Sequence, residues 1–427
     1  MWFPKKSSTL TPRCDGAVSA LPVDAVSLHG YLCFSYVPRP LLASCPPKGE
    51  KNRGQETILA PNALRSLLRA AVQSRLEQSL AADGEVGVYL SGGLDSSLVA
   101  ALLVEAGAKV RAFALDFGPP YDAELPHARA VAEHLRIPLH IVSARSADIA
   151  QHLEATAHAL PLPFGDGVTT PLYLLGRTAK DFTNDVWNGE GGDQLFGGWA
   201  NKPMIAALLY GEASPQNEVR EYLATYHRFW GMTDTLYTPQ QREKVGDVDE
   251  GAWVAPVLDY QSYITLLHRL RAANLQLKGA QNIVPRMVAL AECHGLRVHS
   301  PLFDDALTAW TFTRPPDEFL AGACEKYVLK QVAQHYLPAS LVWREKRGMG
   351  VPTTAWCLER GPVRRLVRAF LSPRALRAEE RFEPAFVQRL LAGDDPTPEG
   401  AFRKRRVGEK LWLLLMWEVW RKVHGRT

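Results

Sequence analysis

The chain has 427 residues, 46% of them hydrophobic and 22% charged, and its 49 basic against 45 acidic side chains leave a net charge of +4. At roughly 100–200 residues per domain this is room for two to three domains and a substantial core, while the composition excludes long disorder, collagen and a coiled coil. The small basic excess is spread along the chain, so charge gives no support for nucleic-acid binding.

The longest apolar runs, 98–104 and 411–417, fall far short of the ~18–20 residues that span a bilayer, so no membrane association is expected. Residues 1–16 lack the apolar core of a secretory signal, which makes the cytoplasm the expected compartment. The six cysteines include no C-x-x-C pair and fit reduced thiols better than a disulfide framework or a zinc site. Cys293 and His294 are adjacent, and neighbours on a helix point about 100° apart, so that pair reads as a packing coincidence.

In chain order, residues 1–57 are rich in Pro, Ser and Lys, with one apolar patch at 26–37, and read as an irregular leader. Residues 59–80 carry Leu64, Leu67, Leu68, Val72 and Leu76 at helical spacing, and Asp83-Gly84 separates them from a β-rich run at 86–90. Further strands are expected at 110–115, 139–142 and 185–187, with helices at 94–106, 123–135 and 171–180 between them. Strands alternating with helices, without hairpin turns, predict an α/β fold with an open parallel sheet covered on both faces. From about residue 199 the pattern turns helical, at 260–275, 286–294, 326–336 and 408–424, and the Trp- and Leu-rich end reads as a buried terminal helix. The expected organisation is therefore a leader (1–57), an α/β nucleotide-binding core (58–200) and a mainly helical part (201–427).

Ser91-Gly92-Gly93-Leu94-Asp95-Ser96-Ser97 stands where the first strand ends and a helix begins. Unpaired amides and the positive end of a helix dipole at such a junction attract phosphate. Gly92 and Gly93 let the backbone approach the oxygens, Ser91, Ser96 and Ser97 add hydroxyl donors, and Asp95 can hold Mg²⁺ against a polyphosphate. The spacing is not that of a Walker A loop, and Gly189-Glu190-Gly191 does not complete a Rossmann fingerprint because Gln194 stands at its third glycine. A second glycine-rich segment, Asn188-Gly189-Glu190-Gly191-Gly192-Asp193-Gln194-Leu195-Phe196-Gly197-Gly198-Trp199, follows the strand at 185–187.

The first segment resembles the pyrophosphate-binding PP-loop of the ATP pyrophosphatases, whose members cleave ATP between the α and β phosphates. Together with the second it resembles the synthase domain of the asparagine synthetase family, with a sheet of the adenine nucleotide α-hydrolase-like type and a helical C-terminal half. The resemblance implies ATP and Mg²⁺ as reactant and metal, Asp193 as the second Mg²⁺ carboxylate beside Asp95, and Glu190 as general base. It places Leu90, Gly189 and Gly191 against the nucleotide and assigns adenine to backbone groups of Phe113, Ala114 and Leu115 in VRAFALDF. Glu325-Lys326-Tyr327-Val328-Leu329-Lys330, Leu337-Pro338-Ala339-Ser340 and Trp343-Arg344-Glu345-Lys346 resemble the family's E-K-x-x-L-R, L-P-A-S and W-R-x-K segments. Lys346 then matches the lysine that meets the triphosphate and adenylate, and Lys326 matches a second one, although by itself Lys326 reads as a surface lysine.

The implied reaction is AMP-forming amide synthesis, in which a carboxylate, most simply aspartate, is adenylated and then captured by ammonia or an amine. No counterpart of the family's N-terminal glutaminase domain is read in residues 1–57, where Trp2 follows Met1, so a separate glutaminase subunit is a conceivable partner. The rival readings are an intramolecular cyclase of the β-lactam synthetase or lasso-peptide type, a PP-loop tRNA-modifying enzyme and a non-catalytic relative. Where the family has G-x-E-x-R-x-P-F-L-D, this chain has Gly295-Leu296-Arg297-Val298-His299-Ser300-Pro301-Leu302-Phe303-Asp304. Arg297 and His299 in place of Glu and Arg bring the identity of the substrate into question.

Overall fold

The computed structural model describes residues 24–39, 60–79, 84–198, 205, 214–258, 263, 265–345, 350–395 and 407–425. Five strands, β1 (Glu85–Tyr89), β2 (Lys109–Asp116), β3 (Leu139–Ser143), β4 (Asp185–Trp187) and β5 (Arg297–His299), form one parallel sheet in the order β3-β2-β1-β4-β5. The chain runs outward from β1 through α3 (Leu94–Glu105) to β2 and through α4 (Leu125–Leu135) to β3, then returns through α5 (Ser146–Ala159) and α6 (Thr169–Ala179) to β4. Right-handed crossovers in opposite directions put the first helix pair and the second on opposite faces. The reversal falls between β1 and β4, and in such sheets the crevice beyond the carboxyl ends of the two strands is where ligands bind.

Two expected features change. Part of the supposed irregular leader is helical: α1 (Ala25–Phe34) is capped by the Asp24 carboxylate on the Ser27 amide at 2.8 Å. Leu28, Tyr31, Leu32 and Cys33 of α1 are buried in the main core. The helix expected at 260–275 begins at Leu266 and continues through a π-helical stretch, Asn274–Ile283, into Val284–Glu292. Pro285 has no amide hydrogen, and its ring presses on the carbonyl four residues earlier, which favours the wider coil before it. That coil carries Lys278 and Asn282 and leads into Arg286.

The C-terminal helix Val407–Val423 is buried along nearly its whole length, as its sequence predicts, whereas α2 (Ala60–Glu77) buries one face through Leu64, Leu68, Ala71 and Val72. The Trp420 indole donates to the Leu160 carbonyl at 2.9 Å, and the Tyr31 hydroxyl donates to the Leu413 carbonyl at 3.0 Å. Among the described residues no helix is long and apolar enough to cross a membrane. Cys33, Cys293, Cys324 and Cys357 are free thiols. Cys293 donates to the Leu290 carbonyl while His294 faces the Tyr173 carbonyl, so the adjacent pair shares no ligand geometry.

Candidate active site

The Ser91–Ser97 segment leaves β1 and turns into α3. Gly93 is the residue before the helix and no side chain caps the helix there, so amides of the first turn stay open to an anion. The Ser91 and Ser96 hydroxyls lie 3.0 Å apart, the Gly93 amide donates to Ser91 Oγ at 3.2 Å, and Ser97 Oγ donates to the Gly93 carbonyl at 2.7 Å. These bonds shape the turn before any ligand arrives. Arg344 reaches it as well, donating to the Gly92 carbonyl at 3.1 Å and pairing with Glu124 at 2.7 Å. Arg344 belongs to the Trp-Arg-Glu-Lys segment, and its anchorage brings that segment to the phosphate turn; Lys346 itself lies outside the described residues.

The second glycine-rich segment leaves β4 on the other side of the crevice and presses directly on the first. A Cβ at Gly189 would collide with the Ser96 amide, and one at Gly192 with the Asp95 carboxylate, so both positions require glycine for this approach. Gly191 (φ +106°) turns the chain into the short helix α7 (Gly192–Leu195), whose first turn carries Asp193. Asp95 and Asp193 are thereby brought to one point, where Lys326 bridges them: its Nζ pairs with Asp95 and stands 2.5 Å from Asp193 Oδ1. Lys326 is not a surface lysine. It is 2% exposed and adopts a left-handed backbone (φ +56°) at the start of the helix Tyr327–Ala333. Burial alone would lower its ammonium, but Asp193 and Asp95 outweigh burial and hold it well above the ordinary lysine range.

Asp95 Oδ1 is buried with no hydrogen-bond partner. An orphaned carboxylate oxygen, beside a second carboxylate and an open helix N-terminus, suits a hard divalent cation with a polyphosphate, so the residues present fit Mg²⁺.

Glu190 donates its backbone amide to Asn188 Oδ1 at 2.9 Å, which fixes the turn after β4. The side chain keeps some contact with solvent, yet the surrounding protein raises its carboxyl above the ordinary range; Asp193 and Asp95 add to the rise, and Arg286 and Lys278 oppose it. Arg286, 3% exposed, pairs with Asp166, which also accepts from Asn282 Nδ2 at 2.9 Å. Burial opposes ionisation of Asp166, but Arg286, Lys278 and Asn282 hold its carboxyl below the usual range. A cleft lined by Tyr36, Asp166, Tyr222, Tyr226, Arg228 and Lys278 opens on this side.

The adenine expectation narrows. The β1–β2 register ends at Tyr89↔Phe113, and the Leu90 amide takes the Phe113 carbonyl at 2.8 Å. Strand alternation turns Ala114 toward β3, into register with Ile141, and turns Leu115 toward the crevice beyond the end of β1. Leu115 is therefore the residue of the three whose backbone faces the crevice.

The side chains of Arg297 and His299 turn to β4, and the His299 carbonyl accepts from the Asn188 amide at 3.1 Å, at the start of the second glycine-rich segment. Both clamp Asp185, which is fully buried at the start of β4: Arg297 Nη2 stands 2.9 Å and His299 Nε2 2.7 Å from Asp185 Oδ1. The residues that stand in place of the family's Glu and Arg thus form an ion-pair clamp on the first residue of β4.

Sequence reasoning gave no role to Arg344, Asp166, Arg286 or Lys278. Arg344 sat inside a quoted segment; the other three meet only through the tertiary fold, and no local spacing announces them.

The asparagine synthase family matches residues 63–422. A putative glutamine-hydrolysing asparagine synthetase of Mycobacterium tuberculosis H37Rv is 25% identical over 382 residues, covering 83% of this chain and 57% of its own. The Bacillus subtilis glutamine-hydrolysing asparagine synthetase 1 is 20% identical over 96% of this chain and 70% of its own, and the Escherichia coli asparagine synthetase B is 24% identical over 65% and 43%. This chain thus spans about 57% of the length of the mycobacterial relative it matches. The solved NMN synthetase of Francisella tularensis aligns over 53% of this chain and 95% of its own at 16% identity and a TM-score of 0.28. With a family match over most of its length, and both glycine-rich segments meeting at the reversal of its parallel sheet, the chain belongs to the asparagine synthase family, a family of ATP-dependent amide ligases.

Proposed function

We propose that this chain forms an amide from a small carboxylate and ammonia or an amine, converting ATP to AMP and pyrophosphate. The observation that carries the reading is the convergence of Asp95 and Asp193, from the first turns of the helices after β1 and β4, on buried Lys326 beside the open N-terminus of α3. The substrate carboxylate oxygen attacks the α-phosphorus, the bond to the bridging oxygen of the β-phosphate breaks, and pyrophosphate leaves with that electron pair. The amine then attacks the acyl carbon, the bond from that carbon to the bridging oxygen breaks, AMP departs with that oxygen and the bond's electron pair, and one proton is lost from nitrogen.

Ser91, Ser96, Ser97 and the first amides of α3 hold the departing phosphates, and Lys326 offsets the charge that builds on them. Lys346, two residues beyond the anchored Arg344, is proposed for the same charge. Bound through Asp95 and Asp193, Mg²⁺ would neutralise phosphate charge. Leu115 presents backbone donor and acceptor to the adenine edge. Arg286 and Lys278 form the cationic side on which the substrate carboxylate seats, and Glu190, with its carboxyl already raised, takes the amine proton.

The most direct test is pyrophosphate and AMP release by purified protein across a panel of carboxylates, with ammonia, glutamine and simple amines supplied in turn. AMP and pyrophosphate in equal amounts, dependent on one carboxylate, are expected. ADP and orthophosphate would overturn the reading. Ammonia or an amine, or a separate glutaminase subunit, is the proposed nitrogen source, so rate at fixed total ammonium should rise with pH as the free base becomes available.

A further inference from the structure

Away from the crevice, α1 meets the helical half of the chain at a buried cluster of His29, Cys33, His227 and Glu250. We propose that His29, Cys33 and Glu250 bind a zinc-class divalent cation that ties α1 to the helical half. His29 and Cys33 are one turn apart on the same face of α1. Glu250 opens the short 3₁₀ turn Glu250–Trp253 and points its carboxylate at them. One ligand atom from each of the three lies within 4.8 Å of the other two. Tetrahedral zinc, with bonds of about 2.0–2.3 Å to nitrogen, oxygen and sulfur, holds its ligand atoms about 3.3–3.6 Å apart. His29 Nε2 is already 2.9 Å from Glu250 Oε1, so these two need only a small opening, and Cys33 Sγ closes in from no more than 4.8 Å.

The charges and the hydrogen-bond roles agree with this. A thiolate and a carboxylate cancel a divalent charge, so the loaded site is neutral in a place where net charge is costly. Cys33 is fully buried, and the His29 and Glu250 side chains are 5% and 17% exposed, which leaves an entry on the glutamate side. His29 Nδ1 faces the Tyr237 hydroxyl at 3.2 Å. A hydroxyl donates or accepts, so His29 is free to carry its proton on Nδ1 and offer the Nε2 lone pair to a metal.

His227 has no such freedom. Its Nδ1 accepts from the Phe229 amide at 3.0 Å, so its Nε2 bears the proton. That N–H lies 3.3 Å from both Cys33 Sγ and Glu250 Oε1 and is placed to donate to them. His227 is therefore a positioning residue for the two anionic ligands. The ligand set also explains why the sequence hid the site: only His29 and Cys33 are close in the chain, and the cysteines have no zinc-type spacing. Phe34 at the end of α1 and Tyr36 just after it line the cleft beside Asp166, so the metal would steady a wall of that cleft.

Cobalt(II) reports on this site because only a thiolate ligand gives a sulfur-to-cobalt charge-transfer band, which the Asp95–Asp193 pair cannot produce. Chelator-treated full-length chain titrated with Co²⁺ should develop that band, saturating at one equivalent and lost on adding Zn²⁺. Cys33→Ser should abolish it, whereas Cys293→Ser, Cys324→Ser and Asp95→Asn should retain it. Glu250→Gln, a near-isosteric change that leaves every thiol in place, should weaken Co²⁺ binding at least about tenfold and serves independently if Cys33→Ser does not fold. Zn²⁺ should raise the Tm of the wild-type chain and leave that of Glu250→Gln nearly unmoved. Absence of the band at one equivalent, or a band of full strength and affinity in Cys33→Ser or Glu250→Gln, would overturn the assignment.

Discussion

Replacing Lys326 by Met removes an ammonium and keeps an unbranched stem of similar reach, so the variant isolates charge from packing. Lys326 is 2% exposed and pairs with two carboxylates, of which Asp95 has an 18% and Asp193 a 42% exposed side chain. Removing one partner of a buried pair costs roughly 3–5 kcal/mol, because the other is left as an uncompensated charge. Water reaches Asp193 and screens it, so the lower end, about 3 kcal/mol, is expected here. That is a factor of about 150 in the folding equilibrium. Urea unfolding followed by tryptophan fluorescence in the presence of a chelator measures it. A double-mutant cycle makes the reasoning specific: in an Asp95→Asn background one carboxylate no longer needs the ammonium, so Lys326→Met should cost less than half as much. Millimolar Mg²⁺ should restore part of the loss in the single variant, since a cation then takes over the compensation. An equal cost in both backgrounds, or a loss below about 1 kcal/mol, would refute the idea that Lys326 is held chiefly by these carboxylates.

Gly192→Ala forces a methyl group into the Asp95 carboxylate and should lower pyrophosphate release at least about tenfold while circular dichroism stays native; an unchanged rate would mean the two loops separate in solution. Burial holds the Glu190 carboxyl above its ordinary range, and a proton acceptor works only when ionised. Amide formation should therefore fall as pH drops through that raised value, with an acid limb above the usual carboxylate range. Glu190→Gln should remove the limb and slow amide formation about 10²–10⁴-fold while sparing pyrophosphate release; equal loss in both steps would count against the base role. His299 and Arg297 outweigh burial and hold Asp185 below the ordinary carboxylate range, so its contribution is complete above the unfolded value and lost as pH falls through the folded one. Asp185→Asn should cost about 2–3 kcal/mol of stability near neutral pH and leave the choice of carboxylate unchanged; a switched substrate preference would give the clamp a part in substrate choice.

Four strands of the sheet were legible because each is a short β-rich run between turn signals. The fifth, Arg297–His299, is not: two of its three residues are polar, and they are in the sheet because they clamp buried Asp185. Helix α1 hid for the opposite reason, since a helix buried almost all round has no polar face and hence no period to read. The unread helix α5 does carry its signal, with Ile149, Leu153, Thr156 and Ala157 buried along one face. At the site, both loops could be read from glycine, serine and carboxylate placed after strands. Lys326 could be matched but not placed, because its partner Asp95 is 231 positions away and its buried, left-handed setting leaves no local mark. Asp166, Arg286 and Lys278 come together only in the fold, Lys278 from the π-helical stretch, Arg286 from the helix that follows it and Asp166 from ahead of α6.

The bond between Tyr31 and Leu413 joins residues 382 positions apart, and the two helices it links bury each other's aromatic rings, with Tyr31 and Trp417 centred 5.2 Å apart. On a ribosome adding roughly 5–20 residues per second, α1 would emerge about 20–75 s before the helix that covers it. For that interval the Tyr31 ring lacks its partner Trp417, although the helices at 215–226 and 239–245, which also pack on α1, have already been made. The nascent chain therefore carries one aromatic face on hold through most of its synthesis, and a truncation before the final helix should leave that face of Tyr31 open.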